Sequence, residues 1–385
     1  MIEEKILFNK FGTQLISEFN ELENISEKYK VELSEILQID INRCGIYLRD
    51  GEVKEDFRVR FKIQINNDFE TWCAIPVRNK KDTPYNITNG KIFFNDTEIG
   101  TAKELCLDTC DTSYQRGPTL LNLNSRSRSS CGGCKACIHN YHKLYDKTVI
   151  KDRVSLDDRD SIEDYFDKMN FEIDKFDQIA VVTGLFKNEE HVVEHMKLIS
   201  NIAKDRGFDG EIMYFGCQVN SDKALFELSK INNFYLIYAL DNFNKRNVLL
   251  SKVKSAITVE SAKDTLLRAK KLGIKTTISY ISGLDNLEES LEGFKYLKES
   301  FTNFPIINVY QMQTVDQSQI LNEKAKKLEF YVETRLGIEK IFNDTDLRPK
   351  RWENYRPLWY KYFASEEFKN NSYGQLEKNG RNVKW

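Results

Sequence analysis

At 385 residues the chain exceeds one minimal domain and suits a large catalytic domain plus an attachment. Its 57 basic and 59 acidic residues nearly cancel to a net charge of −2, which argues against a general nucleic-acid or membrane-surface binder. No run approaches the roughly 20 apolar residues of a membrane span, and Met1-Ile2-Glu3-Glu4-Lys5 has no signal-peptide layout. A cytosolic location is therefore expected, where cysteines serve as thiols or metal ligands rather than disulfides.

Residues 1–117 read as an α+β domain. One early helix is expected over Glu18–Leu37. Arg58–Ile65 alternates polar and apolar residues, the period-two signature of a half-buried strand. Lys91–Phe94, set between Asn89-Gly90 and Asn95-Asp96, is a second strand. Cys44 and Cys73 read as core residues of strands. Cys106 and Cys110, spaced C-x3-C, would share one side if they lay on a helix. The boundary falls near Gly117-Pro118.

From Thr119 strands and helices alternate. The strands are Thr119–Asn124, Gln178–Thr183, Glu211–Phe215, Phe234–Leu240, Lys275–Ile281 and Ile306–Gln311. Asn188, Thr258 and Asn286 are placed to cap helices, with Glu289 completing a capping box, and Gly207 and Gly273 are placed to end them. Such alternation predicts a parallel sheet with helices outside. No glycine-rich turn of the phosphate-binding type follows the first strand, so a partial (β/α)6 or full TIM-type barrel over 118–345 is favoured over an open doubly wound sheet. Residues 346–385 are expected to form a basic, aromatic helix and tail. Within it, Arg348–Tyr360 mixes cations with aromatics. That mixture suits stacking on a nucleic acid, closing the barrel as a lid, or packing on the barrel base or N-terminal domain, and the balanced charge favours the last.

The strongest chemical signal is Cys131-Gly132-Gly133-Cys134-Lys135-Ala136-Cys137, directly after the first strand. Two glycines let the backbone turn tightly, so three sulfurs can converge on one centre. A ferredoxin run would continue to a fourth cysteine, but Tyr141 stands there, so the loop offers three thiolates only. Three ligands leave a coordination position open, as catalytic centres do. His139 or His142 can instead complete a closed Cys3His zinc site, and spacing alone leaves both readings open. Placement after the first strand favours the catalytic one, because barrel active sites are built on loops at strand C-termini.

The loop, its position and several later segments resemble the radical S-adenosylmethionine superfamily, and within it the biotin synthase-like branch, over roughly Thr119–Gln313. The family loop is C-x3-C-x2-C with an aromatic before the last cysteine. Here the first spacing is one residue shorter and Ala136 stands in the aromatic's place. Tyr238-Ala239-Leu240-Asp241 is similar to the segment whose carboxylate holds the cofactor ribose, which implies that role for Asp241; a helix cap is the plain alternative. Lys263 lies near a family arginine and would pair the methionine carboxylate, or be a solvated helix lysine. Gly283, in Tyr280–Asp285, would let the backbone approach the adenine, or be an ordinary turn glycine. Gly184, in Thr183-Gly184-Leu185, sits where the family positions the methionine amine. Gln311 and Met312 end the sixth strand on the cofactor side.

The resemblance implies a [4Fe–4S] cluster on Cys131, Cys134 and Cys137 that cleaves S-adenosylmethionine reductively. The 5′-deoxyadenosyl radical so formed would abstract hydrogen from a small-molecule substrate. It implies an external one-electron reductant of flavodoxin or ferredoxin type. Sulfur insertion is a further option, with Cys217 on an auxiliary cluster, against the commoner reading of a lone buried thiol. Along the first strand Asn122, Asn124, Arg126 and Arg128 share one face. If that face points into the barrel, Arg126 or Arg128 would grip a carboxylate or phosphate of the substrate; alternatively the arginines already lie beyond the strand, on the loop. Two other functions stay open: a non-catalytic zinc- or cluster-binding interaction module, and a radical enzyme that modifies a peptide or RNA.

Overall fold

The computed structural model describes residues 7–49, 58–66, 68, 70–108, 113–116, 119–125, 133–137, 156–168, 172–350 and 354–367. Cys110, the 117/118 boundary, Arg126, Arg128, Cys131, His139 and His142 lie outside the described residues.

The chain opens with a hairpin of β1 (Leu7–Phe8) and β2 (Gln14–Leu15), then two helices, α1 (Phe19–Tyr29) and α2 (Leu33–Cys44). The single helix expected over Glu18–Leu37 is therefore two. Lys30 takes a left-handed φ of 54°, and Val31 bonds back to Ser26 through both its N–H and its carbonyl, which closes α1. α2 runs past Leu37 because Ile39, Ile41 and Cys44 still point into the core. Cys44 is thus helical, not the strand residue expected.

Six strands follow: β3 (Tyr47–Leu48), β4 (Arg58–Ile65), β5 (Glu70–Pro76), β6 (Tyr85–Thr88), β7 (Lys91–Phe94) and β8 (Thr97–Leu107). They form one sheet in the order β3-β6-β7-β8-β4-β5, antiparallel except for β3–β6. β4 and β7 have the bounds their alternation predicts. Val59, Phe61, Ile63 and Ile65 are buried while the polar residues between them stay half-exposed. Cys73 is a buried strand residue, as expected. Cys106 lies on β8 and accepts from Arg60 at 3.6 Å, so a helical pairing with Cys110 does not apply.

β9 (Tyr114–Arg116) runs antiparallel to β10 (Leu120–Leu123). Then α3 (Arg159–Lys168), β11 (Gln178–Val182), α4 (Glu189–Asp205), β12 (Glu211–Gly216), α5 (Asp222–Leu228) and β13 (Phe234–Asp241) alternate. After two short helical turns, α6 (Arg246–Leu249) and α7 (Lys252–Ser255), come α8 (Val259–Lys271), β14 (Lys275–Ser282), α9 (Leu287–Leu297), β15 (Ile306–Val309) and α10 (Leu328–Phe342). β10 to β15 are parallel neighbours in chain order. Right-handed crossovers between sequential neighbours put every helix on one face, so the sheet curls around the other. The result is a partial (β/α)6 barrel. Among the described residues this sheet holds six parallel strands, which matches the partial alternative. The helix ends are those the sequence marks. Asn188 accepts from the His191 N–H, Thr258 and Asn286 form capping boxes, and Gly207 and Gly273 have φ of 82° and 79°.

Strand residues alternate between two cores. Leu121, Val181, Ile212, Leu236 and Tyr238 join the helices in the convex layer. Ala180, Met213, Tyr235, Ile237 and Ile306 form a smaller concave cluster. Residues 354–356 then return along the free edge of β15. The Val309 N–H donates to the Arg356 carbonyl at 2.7 Å, and the Ala74 N–H of β5 donates to the Tyr355 carbonyl at 3.2 Å. The helix expected in 346–385 is absent from the described residues. Residues 346–350 and 354–367 are non-helical and include a small hairpin, β16 (Tyr362–Phe363) and β17 (Glu366–Glu367). Leu358, Trp359 and Tyr360 are buried, so they are not available to stack on a nucleic acid.

A buried ionic network locks this return segment in place. Glu35 of α2 accepts from the N–H groups of Tyr360, Lys361 and Tyr362 and pairs with Arg335 of α10. Arg335 also donates to the carbonyls of Leu358 and Tyr362 and to Glu339, which accepts from the Trp359 indole at 2.8 Å. Arg43 reaches the Lys326 carbonyl at 2.8 Å, and Arg78 donates to the Met312 carbonyl. The N-terminal sheet is thereby fixed to the barrel. Glu35→Ala should cost about 3–5 kcal/mol in urea unfolding, because a guanidinium and three N–H groups lose a buried acceptor. The double change Glu35→Leu with Arg335→Met should cost less than Glu35→Ala alone, since it strands no buried charge.

Candidate functional site

All six parallel strands end on one side of the curled sheet, where the concave face opens into a cavity of about 380 Å³. That is within the ~300–1,000 Å³ usual for small-molecule sites. The barrel side is lined at period two: Asn122, Ala180 and Val182, Met213 and Phe215, Ala239 and Asp241, Ser279 and Ile281, and Asn308. The opposite wall comes from Arg58, Ala74 and Asp108 of the N-terminal half and from Asn354, Tyr355 and Arg356. The extended return segment therefore walls the cavity, with Tyr355 among its lining.

The cysteine loop leaves β10 and docks three strands away. The Lys135 N–H donates to the Leu249 carbonyl at 2.8 Å, and the Ser251 N–H donates to Cys134 Sγ at 3.3 Å. Gly133 has φ 88°, and the Cys137 N–H closes a turn on the Cys134 carbonyl at 3.0 Å. Cys134 and Cys137 both line the cavity. Their partner in the motif, Cys131, lies outside the described residues, as do Arg126 and Arg128, so the polar face of the first strand is described only at Asn122 and Asn124.

Asp241 ends β13 at a register shift against β14, with a left-handed φ of 68°. A bulge with positive φ re-aims a side chain, and Asp tolerates it because its short polar chain bonds locally. The carboxylate turns onto the cavity and pairs with Lys254 Nζ at 2.5 Å. It heads no helix, since α6 is preceded by Lys245. Burial pulls the Lys254 ammonium down, but Asp241, Cys134 and Cys217 outweigh it and push it up, so Lys254 carries its charge beside the sulfurs. Cys217 is a buried thiol on the same cavity, and Gly184 lines it after β11. Among the described residues no three His, Cys, Asp or Glu side chains lie close enough to hold a metal.

Three residues expected to contact the cofactor are not among the cavity lining. Lys263 pairs with Glu299 at 2.6 Å and lies over Tyr296, because α8 buries Ala262 and Leu266 and turns Lys263 outward. Gly283, with φ 113°, sits where a Cβ would meet the Tyr331 hydroxyl at 2.9 Å, so it serves close packing against α10. Met312 is buried away from the cavity, while its neighbours Gln311 and Gln313 line it.

Several contributors carried no sequence signal. Arg246 donates to the carbonyls of Leu240, Asn242, Lys254 and Ile257, gathering the whole loop after β13. Gln218 accepts from the Phe186 N–H and donates to its carbonyl, tying the loops after β11 and β12. Asp285 accepts from the N–H groups of Phe243 and Asn244, tying the loops after β13 and β14. Gln313 is 1% exposed, yet among the described residues neither of its amide atoms has a hydrogen-bond partner. Such an unmade bond costs about 1–3 kcal/mol.

No protein-family profile matches the chain, and no curated protein matches it. Solved structures are matched in part. SuiB from Streptococcus suis bound to S-adenosylmethionine is 14% identical, with TM-score 0.35 over 52% of this chain and 44% of that one. Coproporphyrinogen III oxidase (HemN) from Escherichia coli, described as a radical S-adenosylmethionine enzyme, is 17% identical, with TM-score 0.37 over 59% and 53%. TsrM from Kitasatospora setae, a radical S-adenosylmethionine methyltransferase with cobalamin and a [4Fe–4S] cluster bound, is 9% identical, with TM-score 0.35 over 50% and 37%. The chain thus spans about half or less of each of these proteins. Likenesses at this level carry no functional weight.

Burial pushes the Asp285 carboxyl above its ordinary 3.8, against the pull of the Phe243 and Asn244 N–H groups and the Tyr280 hydroxyl. The folded chain then holds this proton more tightly than the unfolded chain, so ionisation opposes folding. Stability falls as pH rises from 3.8 through the raised folded value and is level outside that window. The unfolding free energy of wild type minus that of Asp285→Asn should therefore shrink as pH climbs from 3.8 through the raised folded value in urea titrations.

Proposed function

We propose that the chain is a radical S-adenosylmethionine enzyme whose Cys131, Cys134 and Cys137 hold a [4Fe–4S] cluster at the mouth of the half-barrel. The observation that carries this is the meeting of Cys134, Cys137 and Asp241 on one cavity at the C-terminal ends of six parallel strands. The donor set fits: thiols from a tight turn, an N–H aimed at one sulfur, and the Lys254 cation nearby to offset thiolate charge. A closed structural zinc site would enclose its sulfurs, whereas these two face a cavity.

When bound, the cluster and cofactor supply one-electron cleavage of a carbon–sulfur bond and hydrogen abstraction from a C–H bond. The chain's own residues bind, orient and shield. Asp241 offers acceptor oxygens at the end of β13, held by Lys254 and by the loop that Arg246 gathers. Gly184 leaves its backbone approachable after β11. The N-terminal sheet and residues 354–356 wall the cavity, which keeps water from a reactive centre and suits a small-molecule substrate. An external one-electron reductant of flavodoxin or ferredoxin type completes the requirement. The product decides between oxidoreductase and transferase.

Anaerobic reconstitution of the wild type should give a brown protein with about four irons per chain that forms 5′-deoxyadenosine. Cys134→Ala and Cys137→Ala should lose both properties. Asp241→Asn should keep the iron and raise the KM for S-adenosylmethionine by about tenfold or more, since a charge-assisted bond is weakened. Cys217→Ala should keep iron and cleavage alike. One zinc per chain in a colourless protein would sink the proposal.

A further inference from the structure

We propose that the cavity wall around Gln313 is a substrate subsite for a molecule presenting an amide-type edge, an N–H donor beside a carbonyl acceptor, as in a lactam or primary carboxamide. Calling this ligand the substrate rests on the radical-enzyme reading; the recognition chemistry does not.

Gln313 lines the cavity at 1% exposure, and among the described residues neither Oε1 nor Nε2 has a partner. A buried carboxamide offers one acceptor and one donor side by side, and native interiors rarely leave both unused. A group with the reciprocal pair satisfies both together. Gln311, two residues earlier and also on the cavity, repeats half of the pattern. Its Nε2 donates to Asn42 Oδ1 at 3.0 Å and to the Ala74 carbonyl at 2.9 Å, while its Oε1 has no partner among the described residues. Those two bonds hold the Gln311 amide in one orientation, so it offers the ligand an acceptor only. The Gln313 backbone is held as well, its N–H donating to Gln317 Oε1 at 2.7 Å.

Arg58 pairs with Asp108 at 2.7 Å, and both line the cavity, so that guanidinium already has its counter-charge and the neutral amides offer a neutral polar edge. Gln311 and Gln313 follow β15, whereas the cysteine loop sits on the segment after β13. Two strand spacings separate these positions, about 10 Å along the sheet. The amide wall therefore lies beside the thiol end of the same cavity.

The test uses the full chain, ligand-observed NMR and two probes of similar shape: 2-pyridone, which has the N–H and carbonyl edge, and N-methyl-2-pyridone, which lacks the donor. Wild type should bind 2-pyridone about tenfold or more tightly than the N-methyl probe. Gln313→Met, of similar volume and without the amide, should lose about tenfold for 2-pyridone and little for the N-methyl probe. Equal binding of the two probes by the wild type overturns the proposal without recourse to any variant, and so does failure of both to bind. Displacement of 2-pyridone by S-adenosylmethionine from reconstituted protein also overturns it, by giving the amide wall to the cofactor. Donor-dependent binding in a protein that takes up no iron leaves the recognition standing and overturns only the ligand's role as a radical substrate. Cleavage activity without such binding overturns the subsite alone.

Discussion

The ion pair between Glu35 and Arg335 is the interaction on which the rest of the arrangement depends. One carboxylate gathers three consecutive N–H groups of the return segment, and one guanidinium holds two of its carbonyls. Both charges are buried, so each needs its partner, and the three pieces of chain they join are held in register together. A six-stranded half-barrel has an open edge at β15, and open edges carry unpaired backbone groups. Residues 354–356 cover that edge because the network holds the chain beyond them. The N-terminal sheet is then close enough for Ala74 to bond Tyr355. The walled cavity follows from a charge pair outside its lining.

A second constraint works at the rim. Loops after parallel strands are separate excursions, and a site spread over several of them needs them coupled. Gln218 and Asp285 each bridge two adjacent loops, and Arg246 collapses the longest onto itself. The cysteine loop rests on that collapsed loop through Leu249 and Ser251. The thiols and Asp241 thus share one support, although they leave strands three positions apart in the sheet.

The strands were nearly all legible because their signal is local. Six apolar runs at helix-length intervals, bounded by Asn, Thr and Gly, admit few other readings, and the caps at Asn188, Thr258 and Asn286 are where local chemistry demands them. The break between α1 and α2 was not legible. Lys30 in a left-handed conformation has no composition signature, and the residues beyond it continue a helical pattern. The non-helical course of residues 354–360 was not legible for a related reason. Trp359 and Tyr360 are held by Glu339 and Glu35, partners hundreds of residues away for Tyr360, and that outweighs local preference.

By itself the sequence determined the alternating α/β order, the three-thiol loop after the first strand, and an acid at the end of the fourth. Each is a property of neighbouring residues. Which side chains meet was decided only in three dimensions. Lys263 and Gly283 are turned away by helix phase and by close packing, while Lys254, Gln313, Arg58 and Asp108 are brought in from elements with no motif. Cavity walls are made of residues far apart in the chain, and the curl of the sheet and the buried ion pair decide which of them face one another.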